Sequence, residues 1–349
     1  MNKLAISVLV SMLCASASIG SAQAAVKKAG TRYVAPAAKT QMVKRTVSVR
    51  GRNKVVYQRM TKVADFNRPT MGDLAGLNLV RDPLDLKSNV ALVLDQANSE
   101  VLFEKNAGVA LPIASITKMM TGLVVVEANQ DMDEVLTVTD DDVDREKFSS
   151  SRLKVGDRLT RRNMLHIALM SSENRAASAL GRSYPGGLPA FVQAMNAKAQ
   201  SLGMGDTHYV DSSGLSRLNV ASARDLAKLV QAAYEHPMLR EFSTDPKAVV
   251  EANGRPRAFG TTNALVAPNS GWDIGLQKTG FINEAGRCMI MQAVVEGRAV
   301  IMVLLDAKGT AARVADATRM KKWLAALKPD FPGSISGASS ATPYSASGM

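Results

Sequence analysis

The apolar runs of this chain change character twice, and their order constrains the fold more than any other feature. Near the start, Asn89-Val-Ala-Leu-Val-Leu-Asp95 and Val101-Leu-Phe-Glu104 read as strands joined by the turn Gln96-Ala-Asn-Ser99. Short runs rich in β-branched and aromatic residues, bounded by turn formers, favour a hairpin. Near the end, Met289 to Val295 and Ala299 to Leu305 form a second pair around Glu296-Gly-Arg298. These runs are continuously apolar, so their strands are expected to be buried on both faces. From Ile116 to about Pro237 the pattern is mainly helical, and Ala311 to Leu327 is one more helix with an apolar stripe. Strands at both ends with helices between predict an α+β fold: one antiparallel sheet built from both ends of the domain, with a helical cluster beside it. About 250 residues are available for this unit, enough for one large core.

Three short polar motifs interrupt this pattern in a fixed order: Ser115-Ile-Thr-Lys118, Ser172-Glu-Asn174 and Lys278-Thr-Gly280. A serine hydroxyl is a poor nucleophile unless a base lies within hydrogen-bond reach. Positions i and i+3 share one face of a helix, so Lys118 can stand beside Ser115. A lysine serves as that base only if its ammonium pKa is pulled down, which burial and a nearby cation, here Lys278, are expected to do. Ser172 and Asn174 add a hydroxyl and an amide to relay protons and hold a substrate amide. Lys278 and Thr279 offer a cation and a hydroxyl to a carboxylate, and Gly280 allows a close backbone approach.

Ser-x-x-Lys alone is weak, because chance supplies about one match in a chain of this length. Indeed Ser151-Arg-Leu-Lys154 is a second match. It lies in a polar serine run and precedes Gly156, so it reads as loop. Ser115 instead follows Leu111-Pro112 and opens the apolar run Met119 to Val126, a helix N-terminus signal. The backbone N–H groups there would favour negative charge at Ser115. Lys278-Thr-Gly280 is expected on the strand before the second hairpin, closed by the turn Asn283-Glu-Ala-Gly286.

This motif set resembles that of the low-molecular-mass penicillin-binding proteins, which are serine-type D-alanyl-D-alanine peptidases. The stretches Pro112 to Lys118, Met170 to Ala176, Tyr184-Pro-Gly-Gly187, Ala194 to Ala199 and Lys278-Thr-Gly-Phe281 are most similar to the endopeptidase branch, the penicillin-binding protein 7 type. The resemblance covers roughly residues 85 to 325. It implies the penicillin-binding/β-lactamase-like transpeptidase fold, with the active site in a cleft between sheet and helical cluster. It also implies Ser115, Lys118 and Ser172 as catalytic residues. Asn174, Lys278, Thr279, Gly280 and Phe281 would be substrate-binding, with the Phe281 N–H joining that of Ser115 in an oxyanion hole. The implied substrates are peptidoglycan peptides, the implied covalent inhibitors are β-lactams, and no cofactor or metal is implied.

The remaining sequence adds location. Lys3, the apolar stretch Leu4 to Ile19 and Ala22-Gln-Ala24 read as a cleaved secretory signal, residues 1–24, so a periplasmic protein is expected. Cleavage leaves Cys288 as the one cysteine, among apolar neighbours, and hence as a buried thiol without an intramolecular disulfide. The net charge of +12 is concentrated: Val26 to Arg68 hold twelve basic residues and one acid. Residues 25–75 therefore read as a basic, flexible arm suited to an anionic wall or membrane surface, with two modest strand pieces, Val47–Val49 and Lys54–Tyr57. No aromatic–basic interleaving points to nucleic acid. The catalytic unit is expected over 76–328, followed by a disordered tail of Ser, Gly, Ala and Pro over 329–349. The tail leaves no space for a further C-terminal domain or an amphipathic membrane helix, which favours the endopeptidase type over the carboxypeptidase.

Other hydrolytic chemistries fit less well. His166 sits in the apolar face Met164 to Met170 and reads as a packed residue, and neither a G-x-S-x-G elbow nor an H-E-x-x-H pair occurs. A class A β-lactamase needs an additional glutamate to activate water, and no E-x-x-L-N segment follows Glu173. A wall-binding protein with a dead site would have lost the serine or a lysine, and all are present.

Overall fold

The computed structural model describes residues 68–309 and 311–327, together with the backbone of 42–49 and 52–59. The expected signal segment, 1–24, and the expected tail, 329–349, lie outside the described residues. The chain divides into two units, residues 1–63 and 64–349.

In the first unit Met42–Val49 pairs antiparallel with Arg52–Arg59, from Met42↔Arg59 to Val49↔Arg52. The two strand pieces noted in the sequence both fall on this ladder. The second unit starts earlier than residue 76. Thr70 caps a short helical turn at Met71–Leu74, its hydroxyl donates to Asp306 Oδ2 at 2.8 Å, and Met71 N–H donates to the Glu284 carbonyl at 2.9 Å. Residues 70–75 thus belong to the body, not to the arm.

One five-stranded antiparallel sheet organises this unit. Its strands are β1 (Ser88–Asp95), β2 (Val101–Lys105), β3 (Asp273–Ile282), β4 (Gly286–Val295) and β5 (Arg298–Ala307), in the order β3-β4-β5-β1-β2. The pairing of β5 with β1, from Val300↔Asp95 to Ala307↔Ser88, joins the two ends of the domain. Side chains alternate across a strand, and here both faces are covered. Val90, Leu92, Ile290 and Val303 face the helical cluster. Ala91, Val93, Met291 and Met302 face Ala317, Met320 and Leu324 of the C-terminal helix Ala312–Ala326. This double cover explains the absence of polar alternation in the sequence. Each Val, Leu, Ile and Met side chain among these contributes on the order of 1.5–3 kcal/mol by burial.

The helical cluster comprises α1 (Thr117–Glu127), α2 (Arg161–Met170), α3 (Asn174–Arg182), α4 (Gly187–Ser201), α5 (Ala223–Tyr234) and α6 (Pro237–Thr244). Thr117 through Val125 of α1 are all buried, so this helix lies at the centre of the cluster rather than on its surface. Helix α2 begins where Thr160 Oγ1 accepts from Asn163 N–H at 3.2 Å, and α5 begins at the Ser222 cap. The middle of the chain is less helical than its pattern suggests. Residues 128–160 form loops around a small ladder, Val135–Thr137 with Arg158–Thr160, and a further hairpin pairs Lys247–Ala252 with Arg255–Gly260. No helix among the described residues is long and apolar enough to cross a membrane.

Candidate active site

The three motifs converge in the cleft between β3 and the helical cluster. Ser115 lies in a single 3-10 turn, Ala114–Ile116, that runs directly into α1, so the α-helix proper starts two residues later than the serine. In a 3-10 turn positions i and i+3 eclipse one another, which brings Lys118 beside Ser115. Lys118 Nζ lies 2.9 Å from Ser115 Oγ, 2.7 Å from Asn174 Oδ1 and 2.5 Å from the Ser213 carbonyl. Ala114 holds a left-handed φ of +50° and Ser172 one of +61°. Conformations of this kind cost about 1–3 kcal/mol and persist where the surroundings enforce them.

The enforcement at Ser115 comes from the loop 207–219. Asp211 Oδ1 accepts from the backbone N–H of Ser213 and of Gly214, each at 2.6 Å, and Oδ2 accepts from Ser216 N–H at 3.0 Å. Gly214, at φ +81°, passes so close that a Cβ there would stand 2.0 Å from the Ala114 carbonyl oxygen. Asn219 donates to Thr117 Oγ1 at 3.0 Å, and its carbonyl accepts from Ile113 N–H at 3.0 Å. On the other wall Gly280 is close too, since a Cβ would lie 3.0 Å from Ser115 N and 2.9 Å from the Ile113 carbonyl oxygen.

Ser172 sits between α2 and α3, and Asn174 opens α3. Glu173 fastens the turn: it accepts from Ser151 Oγ at 2.6 Å and from Arg152 N–H at 3.1 Å. Ser149 Oγ accepts from Asn174 Nδ2 at 2.8 Å. Lys278 Nζ donates to Ser172 Oγ at 3.0 Å and to the Thr279 carbonyl at 2.8 Å. The Thr279 hydroxyl lies 2.6 Å from that of Thr262. Arg313 donates to the Gly280 and Cys288 carbonyls, both at 3.3 Å. Phe281 follows on β3, with the Arg287 guanidinium 4.7 Å from its ring centre.

Electrostatics set the two lysines apart from ordinary surface ammonium groups. Both are fully buried. Burial depresses Lys118 to about 7, against the upward pull of Asp211 and Glu173. Lys278 is held well below the usual lysine range by burial first, then by the positive fields of Lys118 and Arg313. The sequence argument assigned Lys278 a share in discharging Lys118. Burial is instead the leading cause at Lys118, and the repulsion acts on Lys278. A lysine near 7 is half neutral at physiological pH and can accept a hydroxyl proton.

Seven of the eight residues singled out in the sequence are thus brought together in one cleft, and the eighth, Phe281, follows Gly280 on β3 with its ring against Arg287. Lys154 of the second Ser-x-x-Lys match is exposed on a loop, as its context suggested. Its serine has a supporting role, because Ser151 holds Glu173 behind Ser172. Sequence reasoning missed Asp211, Ser213, Ser149, Thr262 and Arg313. Asp211-Ser-Ser-Gly214 carries a turn signature, but nothing local ties it to a helix about a hundred residues away. His166 stacks on Phe242 with centroids 4.5 Å apart, its Nε2 lies 3.0 Å from Asp245 Oδ2, and it forms no part of the cleft. Cys288 is buried, with its thiol pushed up to about 12 by that burial. Among the described residues no group of three or more His, Cys, Asp and Glu could hold a metal ion.

The family model for D-alanyl-D-alanine carboxypeptidase, peptidase S11, matches residues 77–309. The chain belongs to this family of serine peptidases. Within the S11 family it is 46% identical over 253 residues to a D-alanyl-D-alanine endopeptidase of Pseudomonas aeruginosa, a match that spans 72% of this chain and 80% of that protein. It is 40% identical over 242 residues to the D-alanyl-D-alanine endopeptidase of Escherichia coli, spanning 69% and 78%. Among solved structures it is similar to the Streptomyces K15 DD-transpeptidase, with 27% identity and a TM-score of 0.65 over 71% of this chain and all of that one. It is also similar to penicillin-binding protein D2 from Listeria monocytogenes in its ampicillin-bound form, with 30% identity and a TM-score of 0.62 over 69% and 98%. The α+β arrangement derived above is thus the fold of penicillin-binding S11 peptidases.

Proposed function

We propose that this S11 peptidase is an exported peptidoglycan endopeptidase that cleaves D-Ala–diamino acid cross-links through an acyl-enzyme. The observation that carries the reading is the buried Lys118 amine, near pKa 7 and 2.9 Å from Ser115 Oγ. Ser115 Oγ attacks the carbonyl carbon of a D-Ala residue while Lys118 takes the hydroxyl proton. The oxyanion is met by the N–H groups of Ser115 and Phe281. The C–N bond breaks, and the leaving amine receives a proton from the Ser172–Lys278 side. The proton that Lys118 took is passed on by way of Ser172 to the leaving amine, so Lys118 is neutral again; it then deprotonates a water that attacks the acyl carbonyl, the ester C–O bond breaks, and the proton returns to Ser115 Oγ. Thr279 and Lys278 receive the carboxylate next to the scissile amide, and Asn174 the amide of the acyl group.

The endopeptidase preference is supported by the names of the two relatives at 46% and 40% identity. Asp211 and Glu173, whose charges act on Lys118, are both committed to loop hydrogen bonds. Neither is free to activate water, so a penicillin is expected to leave a long-lived acyl-enzyme rather than be hydrolysed fast. The signal-like residues 1–24 support a periplasmic location, and the basic residues from Val26 to Arg68 support tethering to an anionic wall or membrane surface. The test offers cross-linked dimeric and monomeric pentapeptide muropeptides separately to the purified enzyme. Cleavage of the dimer is expected. If the dimer survives while the pentapeptide loses its terminal D-Ala, the carboxypeptidase reading replaces this one.

A further inference from the structure

A cavity of about 300 Å³ opens beside Ser172, lined by Ser150, Ser151, Arg152, Ser171, Ser172 and Glu173. None of its residues other than Ser172 takes part in the acyl transfer described above. Its one cation is Arg152, and the chain holds that residue on three sides. The Arg152 N–H donates to Glu173 Oε1 at 3.1 Å, and its carbonyl accepts from Arg257 Nη1 at 2.9 Å. The guanidinium lies over the Phe259 ring, 5.2 Å from the centroid. Yet Arg152 is exposed, and no ion pair engages it among the described residues. The Glu173 carboxylate, which could have neutralised it, is turned to Ser151 Oγ and to backbone. A stacked guanidinium whose N–H edges remain open is mounted to bind a carboxylate in its own plane.

The cavity lies at a definite end of the cleft. Phe259 belongs to the hairpin strand that ends at Gly260, and the chain then reaches Thr262. Thr262 N–H donates to the Met170 carbonyl at 3.3 Å, and its hydroxyl contacts that of Thr279. The cavity therefore adjoins the Thr262–Thr279 pair. In the proposed reaction Thr279 marks the leaving-group side. There the two candidate reactions differ most. A carboxypeptidase releases a single amino acid with one carboxylate. An endopeptidase releases a whole peptide stem, which carries further carboxylates.

We infer that Arg152, with the serine hydroxyls around it, forms a subsite for a second carboxylate of the departing stem, and so favours cross-linked over uncross-linked peptide. The inference rests on the endopeptidase reading and adds a determinant of its specificity. Arg152 touches no reacting atom; it acts through binding.

The experiment compares three substrates on the wild-type enzyme and on Arg152→Gln and Arg152→Lys. They are a cross-linked dimer, the same dimer with the leaving stem's carboxylates converted to amides except the one beside the scissile bond, and a monomeric pentapeptide. For the wild type, the amidated dimer is expected to have a KM about tenfold higher than the acid form, the effect of one exposed charge-assisted contact. Arg152→Gln should lower the dimer-to-pentapeptide ratio of kcat/KM by about the same factor, through KM, and erase the difference between acid and amide. Arg152→Lys should restore part of it. A wild-type enzyme indifferent to amidation overturns the subsite, even if no variant folds. So does a Gln variant that loses equally on all three substrates. Failure of the wild type to cleave any dimer would instead refute the endopeptidase reading itself.

Discussion

At the scale of single residues, the chemistry reduces to the state of one amine. Burial lowers Lys118 from the ordinary 10.5 to about 7, so the neutral, basic form prevails above that pH and the ammonium below it. The rate of acylation by a small penicillin should therefore rise about tenfold per pH unit below 7 and level off above it. Stopped-flow acylation between pH 5 and 9 checks this, and a profile flat through 6–8 would assign the base elsewhere. Lys118→Ala should cost several orders of magnitude in that rate. Lys118→Arg should do no better, because a guanidinium stays protonated. Lys154→Ala, in the other Ser-x-x-Lys match, should leave the rate nearly intact. Seven of the eight predicted site residues were legible because each belongs to a short polar motif within an apolar pattern, and Phe281 came from the family resemblance alone. The supporting residues were not. Asp211 and Ser213 act on Lys118 from about 95 positions away, and only folding brings that loop against α1.

At the scale of elements, the site depends on how closely loop and strand press on the Ala114–Ile116 turn. Gly214→Ala tests the loop. It would force a side chain into a left-handed conformation and onto the Ala114 carbonyl. The destabilisation should be at least about 1–3 kcal/mol, read as a lower melting temperature, with slower penicillin acylation in the folded fraction. Asp211→Asn keeps the size and weakens three backbone contacts. It should slow acylation more than it lowers the melting temperature, since its main effect is to loosen the Ser213 carbonyl on Lys118. The hairpins β1–β2 and β4–β5 of the sheet were readable from their apolar runs and turn residues. The ladder at 135–160 and the hairpin at 247–260 were not. The strands Lys247–Ala252 and Arg255–Gly260 are short and largely exposed, with Val250, Ala252 and Phe259 as their buried residues, too few to set up a clear hydrophobic period.

At the scale of the whole molecule, charge and catalysis occupy different parts of the chain. Residues 26–68 carry nearly all of the net charge of +12, whereas the remainder is close to neutral. A protein that begins at Arg68 keeps the Thr70 cap and its bond to Asp306, so it should retain its turnover of a small soluble muropeptide. It should lose salt-sensitive binding to isolated sacculi, because screened contacts weaken with ionic strength. Retention that is equal with and without the arm, and indifferent to salt, would count against a tether. The central claim concerns neither arm nor subsite but the Ser115–Lys118 pair. Incubation with a fluorescent penicillin, followed by proteolysis and mass spectrometry of the labelled peptide, tests it most directly. One equivalent of label on Ser115 is predicted; label on another residue, or none, would contradict the account.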